Sequence, residues 1–155
     1  FAGGLVMVVN PSQKLMAIRP DGTGDLKATH LAWQSEESMP DITSPVSDGT
    51  RVFTVTSGGL LVCLDSKDGR KAWEKDLETE VHASPAIFGG RLYVACTNGT
   101  TVVAELGAEF HELARNELGE KIFASPALAA GRLYLRGQQH LFCLTTGDKP
   151  EAATR

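Results

Sequence analysis

The sequence predicts an all-β chain built as a β-propeller, on three observations. A phrase recurs about every 40 residues, short apolar runs alternate with turn signals, and no stretch has the 3.6-residue period of a convincing helix. The recurring phrase begins at Ser44-Pro45-Val46, Ser84-Pro85-Ala86 and Ser125-Pro126-Ala127, at spacings of 40 and 41 residues. It continues as Gly49-Thr50-Arg51-Val52-Phe53, Gly89-Gly90-Arg91-Leu92-Tyr93 and Ala130-Gly131-Arg132-Leu133-Tyr134. Gly3-Gly4-Leu5-Val6-Met7 is an earlier copy without its Ser-Pro.

Each unit divides into short strands. In the second unit they are expected at Pro45 to Ser47, Arg51 to Ser57, Leu60 to Asp65 and Lys71 to Leu77. Ser57-Gly58-Gly59 and Lys67-Asp68-Gly69 supply the turns, and Asn98-Gly99 the matching hairpin of the third unit, because Gly and Asn adopt positive φ at little cost. Leu60-Leu61-Val62-Cys63-Leu64 and Leu92-Tyr93-Val94-Ala95-Cys96 are apolar on both faces and require cover on both sides. Four-stranded blades packed face to face around an axis give that cover, and about 40 residues suits one blade. A single domain over residues 1–147 follows, with blades at about 1–43 (partial), 44–83, 84–124 and 125–147 (partial), and a polar tail at 148–155.

Composition narrows the function. Fifteen Lys and Arg stand against nineteen Asp and Glu, a formal charge of −4, with no basic run to neutralise successive phosphates, so nucleic acid is not an expected partner. No stretch approaches the roughly 18 apolar residues that span a bilayer, and Phe1 to Asn10 lacks a positively charged leader and a cleavage site. The abrupt start at Phe1 suggests a signal peptide or further blades upstream. Cys63, Cys96 and Cys143 lie inside apolar runs and read as small buried hydrophobes.

Cys63-Leu64-Asp65-Ser66-Lys67-Asp68-Gly69-Arg70-Lys71-Ala72-Trp73 resembles the tryptophan-docking motif A-x-D-x-x-x-G-x-x-x-W of pyrroloquinoline-quinone (PQQ) propellers, departing only at Cys63. In such a motif Asp65 would accept backbone N–H bonds, Gly69 would permit a tight bend and Trp73 would cover the neighbouring blade. The first unit has a stretched copy, Ala17 to Asp25 followed by Trp33. The third, Val103-Ala104-Glu105-Leu106-Gly107 to Leu113, has lost both Asp and Trp, and the fourth stops near Gly147. The chain thus resembles the C-terminal blades of PQQ-like repeat proteins, a family in which many members bind no quinone. Family members usually have eight blades, so four units imply half of an eight-bladed ring, a ring of two copies, or a small four-bladed ring. An open arc would expose apolar blade faces, which implies a protein partner or self-association.

Quinone enzymes of the family hold calcium and stack the cofactor on a tryptophan. Both tryptophans here occupy docking positions, and no cluster of Glu, Asn and Asp is marked as ligands, so no cofactor, metal or catalytic residue is assigned. Asp21, Thr23 and Asp25 resemble the start of a calcium loop, but Gly22 and Gly24 interrupt it and no bidentate Glu follows. His30, His82, His111 and His140 occur once per unit without a second ligand at metal spacing. Ser84 lies near His82, yet Ser44 and Ser125 repeat its phase without a histidine, as a structural serine would. Asn98-Gly99-Thr100 fits a glycosylation sequon that the hairpin already explains. Arg51, Arg91 and Arg132 recur as turn caps or partners of neighbouring carboxylates. With Ser44, Ser84 and Ser125 they mark a channel mouth where a polar site would lie.

The resemblance implies a non-catalytic propeller that displays loops to a protein or ligand in the periplasm or at the bacterial cell envelope. The alternative is a fragment of a dehydrogenase that uses PQQ and calcium to oxidise an alcohol or sugar. A polysaccharide-binding or lyase propeller is a third class that no residue favours.

Overall fold

The computed structural model describes residues 1–10, 13–37 and 39–145. These residues form antiparallel sheets and no helix. Strands β1 (Val6–Asn10), β2 (Lys14–Ile18) and β3 (Leu31–Ser35) make the first blade. The second contains β4 (Val46–Ser47), β5 (Arg51–Val55), β6 (Leu60–Asp65) and β7 (Lys71–Asp76), paired in that order. β8 (Ala86–Phe88), β9 (Arg91–Ala95), β10 (Thr100–Glu105) and β11 (Glu112–Glu117) repeat the arrangement. β12 (Ala127–Ala129), β13 (Arg132–Arg136) and β14 (Leu141–Thr145) form the fourth blade. The polar tail expected at 148–155 and the end of the fourth unit at Gly147 lie outside the described residues.

The architecture is a β-propeller, as the repeat predicts, with element ends displaced for physical reasons. Pro45 has no N–H for the ladder, so β4 begins at Val46. Residues after Val55 form the turn that the Gly59 N–H closes onto the Thr56 carbonyl at 2.9 Å, so β5 stops short of Ser57. Leu77 leaves the sheet to donate to the Gly59 carbonyl at 3.0 Å. The first unit retains more of its inner hairpin than its missing Ser-Pro suggests: Ala2 and Leu5 exchange backbone hydrogen bonds of 3.0 and 2.8 Å across Gly3-Gly4.

The core lies between blades. Leu15, Ala17 and Trp33 of the first blade pack on Val52, Val62 and Leu64 of the second. From the opposite face of the second, Phe53, Val55, Leu61 and Cys63 meet Leu92, Val94, Val102 and Ala104 of the third. Ala95 of the third then meets Leu133 and Leu135 of the fourth, with Ile122 from the connection between them. Successive residues of β5 therefore serve different cores, Val52 on one side and Phe53 on the other, which is why its sequence shows no polar alternation. Burying one such side chain contributes about 1.5–3 kcal/mol. Outer strands β7 and β11 are largely exposed.

Cys63 and Cys96 are buried, and burial pushes their thiols up to about 12 and about 11. Cys143 corrects the expectation of three buried cysteines. It is exposed on β14, because among the described residues no strand pairs with the outer edge of that sheet. A thiol reagent such as Ellman's should therefore modify one cysteine in the native chain, Cys143, and all three in denaturant; rapid native labelling in a Cys143→Ser variant would contradict this.

Candidate functional site

Two tryptophans join the blades. In the turn after β6, the Asp65 carboxylate accepts the Lys67 N–H at 2.8 Å and its carbonyl accepts the Gly69 N–H at 3.0 Å. Gly69 adopts φ +73°, and a Cβ there would meet Trp33 ring atoms at 2.5–2.9 Å. The Trp33 indole of the first blade thus lies flat on the turn of the second, and its N–H donates to the Ser66 carbonyl at 3.0 Å. Trp73 reaches the third blade in the same way, donating to the Gly107 carbonyl at 3.0 Å. Phe110 stands edge-on to that indole at 5.3 Å. The third turn thus receives a tryptophan although its own Asp and Trp are lost: Ala114, which pairs with Val103 as Trp73 pairs with Cys63 and Trp33 with Ala17, stands on β11 where the other units carry tryptophan.

Trp33 is buried against the second blade and Trp73 half-buried against the third, both with bonded N–H groups, so the only two indoles of the chain serve the joints between blades. Among the described residues no three His, Cys, Asp or Glu side chains converge to hold a metal. These residues do not fit a quinone–calcium centre. Asp25 caps the Lys27 N–H at 3.0 Å, while Asp21 approaches His30 at 3.6 Å, so the pair does not face one cation. His111 approaches Glu105 at 3.2 Å, and Asn98 accepts the Thr100 N–H of its own hairpin at 3.0 Å.

The serines and arginines expected at one channel mouth occupy opposite ends of the blades. The Ser44 N–H donates to the Ser84 hydroxyl oxygen at 2.8 Å, and the Ser84 N–H to the Ser125 hydroxyl oxygen at 2.9 Å. The recurring serine therefore ties each blade's entry to the next. Arg51, Arg91 and Arg132 lie at the far end of the same hairpins, Arg51 beside the turn residue Asp48 and the other two paired with the strand ends Phe88 and Ala129. Arg51 pairs with Asp48 of its own turn at 3.7 Å rather than with a neighbouring blade. Arg91 and Arg132 are exposed.

Sequence reasoning missed two features of the serine end. Asp41, Glu80 and Glu120 recur one blade apart in the connections and hold the hairpin of the blade that follows. Asp41 accepts the Ser57 N–H at 2.9 Å and the Ser57 hydroxyl, whose hydrogen bond holds its carboxyl below the usual range. Glu80 receives the Thr97 N–H on its backbone carbonyl at 2.9 Å. Glu120 accepts the Gln139 N–H at 2.8 Å, the His140 N–H at 3.1 Å and the His140 ring. Led by the ring contact, these bonds pull its carboxyl down to about 2. The second feature is a row of exposed side chains two residues before each serine: Ile42, His82 and Phe123. Their signal was the same 40-residue phase, hidden because the residue types differ. His82 turns to Phe123, with ring centroids 5.8 Å apart, and not to Ser84.

Sheets joined through covered tryptophans around apolar cores between blades define a propeller repeat protein. This chain belongs to the PQQ-like propeller family: the family profile described as outer membrane protein assembly factor BamB matches residues 21–110. Among solved structures, BamB from Moraxella catarrhalis is similar with a TM-score of 0.68 and 15% identity, over 94% of this chain and 43% of that one. Quinohemoprotein alcohol dehydrogenase ADHIIG from Pseudomonas putida HK5 is similar with a TM-score of 0.64 and 14% identity, over 85% and 26%. The quinohemoprotein alcohol dehydrogenase from Comamonas testosteroni gives 0.54 and 18%, over 64% and 17%. The chain spans less than half the length of each. At these identities the likeness is one of fold. No curated protein matches the sequence.

Gly69→Ala should destabilise the chain by about 1–3 kcal/mol in urea titration, through positive φ and overlap with Trp33. Gly90→Ala, at φ +72° in open space, should cost less; equal losses would mean that Trp33 does not bear on Gly69. Because Glu120 has a lower pKa folded than unfolded, its stabilising effect is complete above about 4.5 and is lost as pH falls toward about 2. Glu120→Gln should therefore reduce the urea midpoint at pH 6 and flatten its decline between those values.

Proposed function

We propose that this chain is the binding part of a non-catalytic propeller scaffold that holds a protein partner at the bacterial cell envelope. The single observation that carries the reading is that its tryptophans, its recurring serines and the acids of its connections are committed to joining blades and holding hairpins. Trp33 and Trp73 cover turns, Ser84 and Ser125 accept backbone N–H groups, and Asp41 and Glu120 cap hairpins. What remains for recognition is the surface of the connections and hairpins, which suits a macromolecule better than an enclosed small substrate. The match to the profile described as outer membrane protein assembly factor BamB supports the envelope setting and a protein partner. No helix among the described residues is long and apolar enough to cross a membrane.

Two measurements test the reading. Fractionation of the source cells with an antibody to the chain should place it with the envelope, where short-range cross-linking should give a discrete larger species; recovery in the cytosol without cross-links would overturn it. Adding PQQ with Ca²⁺ should leave the melting temperature unchanged and support no dye-linked alcohol oxidation. A clear response in either would replace the scaffold with a quinoprotein.

A further inference from the structure

Ile42, His82 and Phe123 form an exposed row on successive connections, within which the His82 and Phe123 rings stand 5.8 Å apart. Ile42 is 55% exposed and Phe123 51%, and His82 is also exposed, whereas Thr43 and Ala83, next in the chain, are buried. Alternation of this kind lets the connection anchor by one side chain and present the next. The serine hydrogen bonds fix the spacing of the row, because Ser44, Ser84 and Ser125 follow these residues by two positions and bind one another in succession. Exposed apolar groups held at a regular spacing by a rigid backbone form a surface built to be covered. Ile42 also lines a groove of about 490 Å³ of mixed polar and apolar character with Met7, Val9, Asp41 and Ser44, on the side of the first blade.

The charge of the connections that carry the row is predominantly acidic. The three connections, residues 36–45, 77–85 and 118–126, carry Glu36, Glu37, Asp41, Glu78, Glu80 and Glu120 against a single lysine, Lys121, and no arginine. Lys14 and Lys71 pair with Glu36 and Glu37 at 3.7 and 3.4 Å, and Lys121 offsets Glu120, which leaves the acidic excess at Asp41 near the first end of the row and at Glu78 and Glu80 in its middle. The opposite end of the blades carries both signs, with Arg51 beside Asp48, Arg70 beside Asp68, and Arg91 and Arg132 exposed. Steering by this field favours a cationic partner and repels an acidic one.

We infer that the Ile42–His82–Phe123 row is the docking strip for an extended cationic segment of a partner protein, whose alternate apolar side chains lie across successive blades between basic ones. The inference deepens the scaffold reading and rests on it. The 5.8 Å between the His82 and Phe123 rings is comparable to the roughly 6.6 Å repeat of same-face side chains in an extended strand. Apolar contact supplies the register, and the carboxylates supply the sign.

The test uses the full chain and a fluorescent twelve-residue peptide of alternating Lys and Leu, read by anisotropy. An all-Lys peptide and an alternating Glu–Leu peptide are the comparators. The Lys–Leu peptide should bind, more weakly as salt rises, and at least tenfold more weakly to an Ile42→Ser, Phe123→Ser double variant with an unchanged urea midpoint. Leu113→Ser, at an exposed apolar position on the outer strand β11, should bind like the parent chain. Equal binding by the double variant, equal binding of the all-Lys peptide or preference for the Glu–Leu peptide would each overturn the strip. So would a self-association that the double variant abolishes while peptide binding persists, because the row would then serve a second copy. Failure here with envelope cross-links intact removes the strip alone; loss of the cross-links with peptide binding intact removes the envelope scaffold alone.

Discussion

Every part of this fold depends on one constraint: a blade has two apolar faces and cannot cover either by itself. Val52 and Phe53 are adjacent in β5 yet belong to cores on opposite sides of their sheet, so the second blade is buried only when the first and third are in place. Stability is accordingly a property of contacts between neighbours more than of any single sheet, as in other repeat architectures. The tryptophans extend this logic to the periphery. Trp33 and Trp73 lie on the turns of the following blades and close the outer ends of cores that aliphatic side chains fill nearer the axis.

Each connection combines attachment with display. Between β3 and β4, the Asp41 carboxylate holds the Ser57 turn, the Thr43 hydroxyl donates to the Val55 carbonyl, and Ser44 donates to Ser84, while Ile42 points to solvent among them. The attachment is mostly polar and pairs backbone groups that would otherwise be left unsatisfied in a tight passage between sheets. With that requirement met, the intervening residue is free to vary, and it does: Ile, His and Phe stand at one structural position.

The fold was legible because its signals are backbone rules. Ser-Pro, Gly-x-Arg and the Asp65 to Trp73 motif recur in phase, and each marks a place where geometry admits few residues. Asp65 and Gly69 are examples, one accepting turn N–H groups and the other lying under an indole. Strand ends were less legible, since where β5 stops depends on which N–H finds the Thr56 carbonyl. The exposure of Cys143 could not be read from its apolar run, because burial depends on what lies beside the strand and not on the strand itself. The site was partly legible: the serines and arginines were correctly seen to recur, but a common phase in sequence does not say which end of a hairpin each occupies. The exposed row escaped notice because identity, not position, was the pattern sought.

Five of the bonds between blades share a direction. Gly3 gives its N–H to Gly49, Trp33 to Ser66, Ser44 to Ser84, Trp73 to Gly107 and Ser84 to Ser125, in each case from the earlier blade to the later. In these five bonds the earlier blade donates and the later accepts, a head-to-tail joint, while the Ser57, Thr97 and Gln139 N–H groups donate back to Asp41, Glu80 and Glu120 of the connection before them. A gene that duplicates or deletes one such unit leaves every remaining joint chemically intact, so the number of blades can change in evolution without the invention of a new interface.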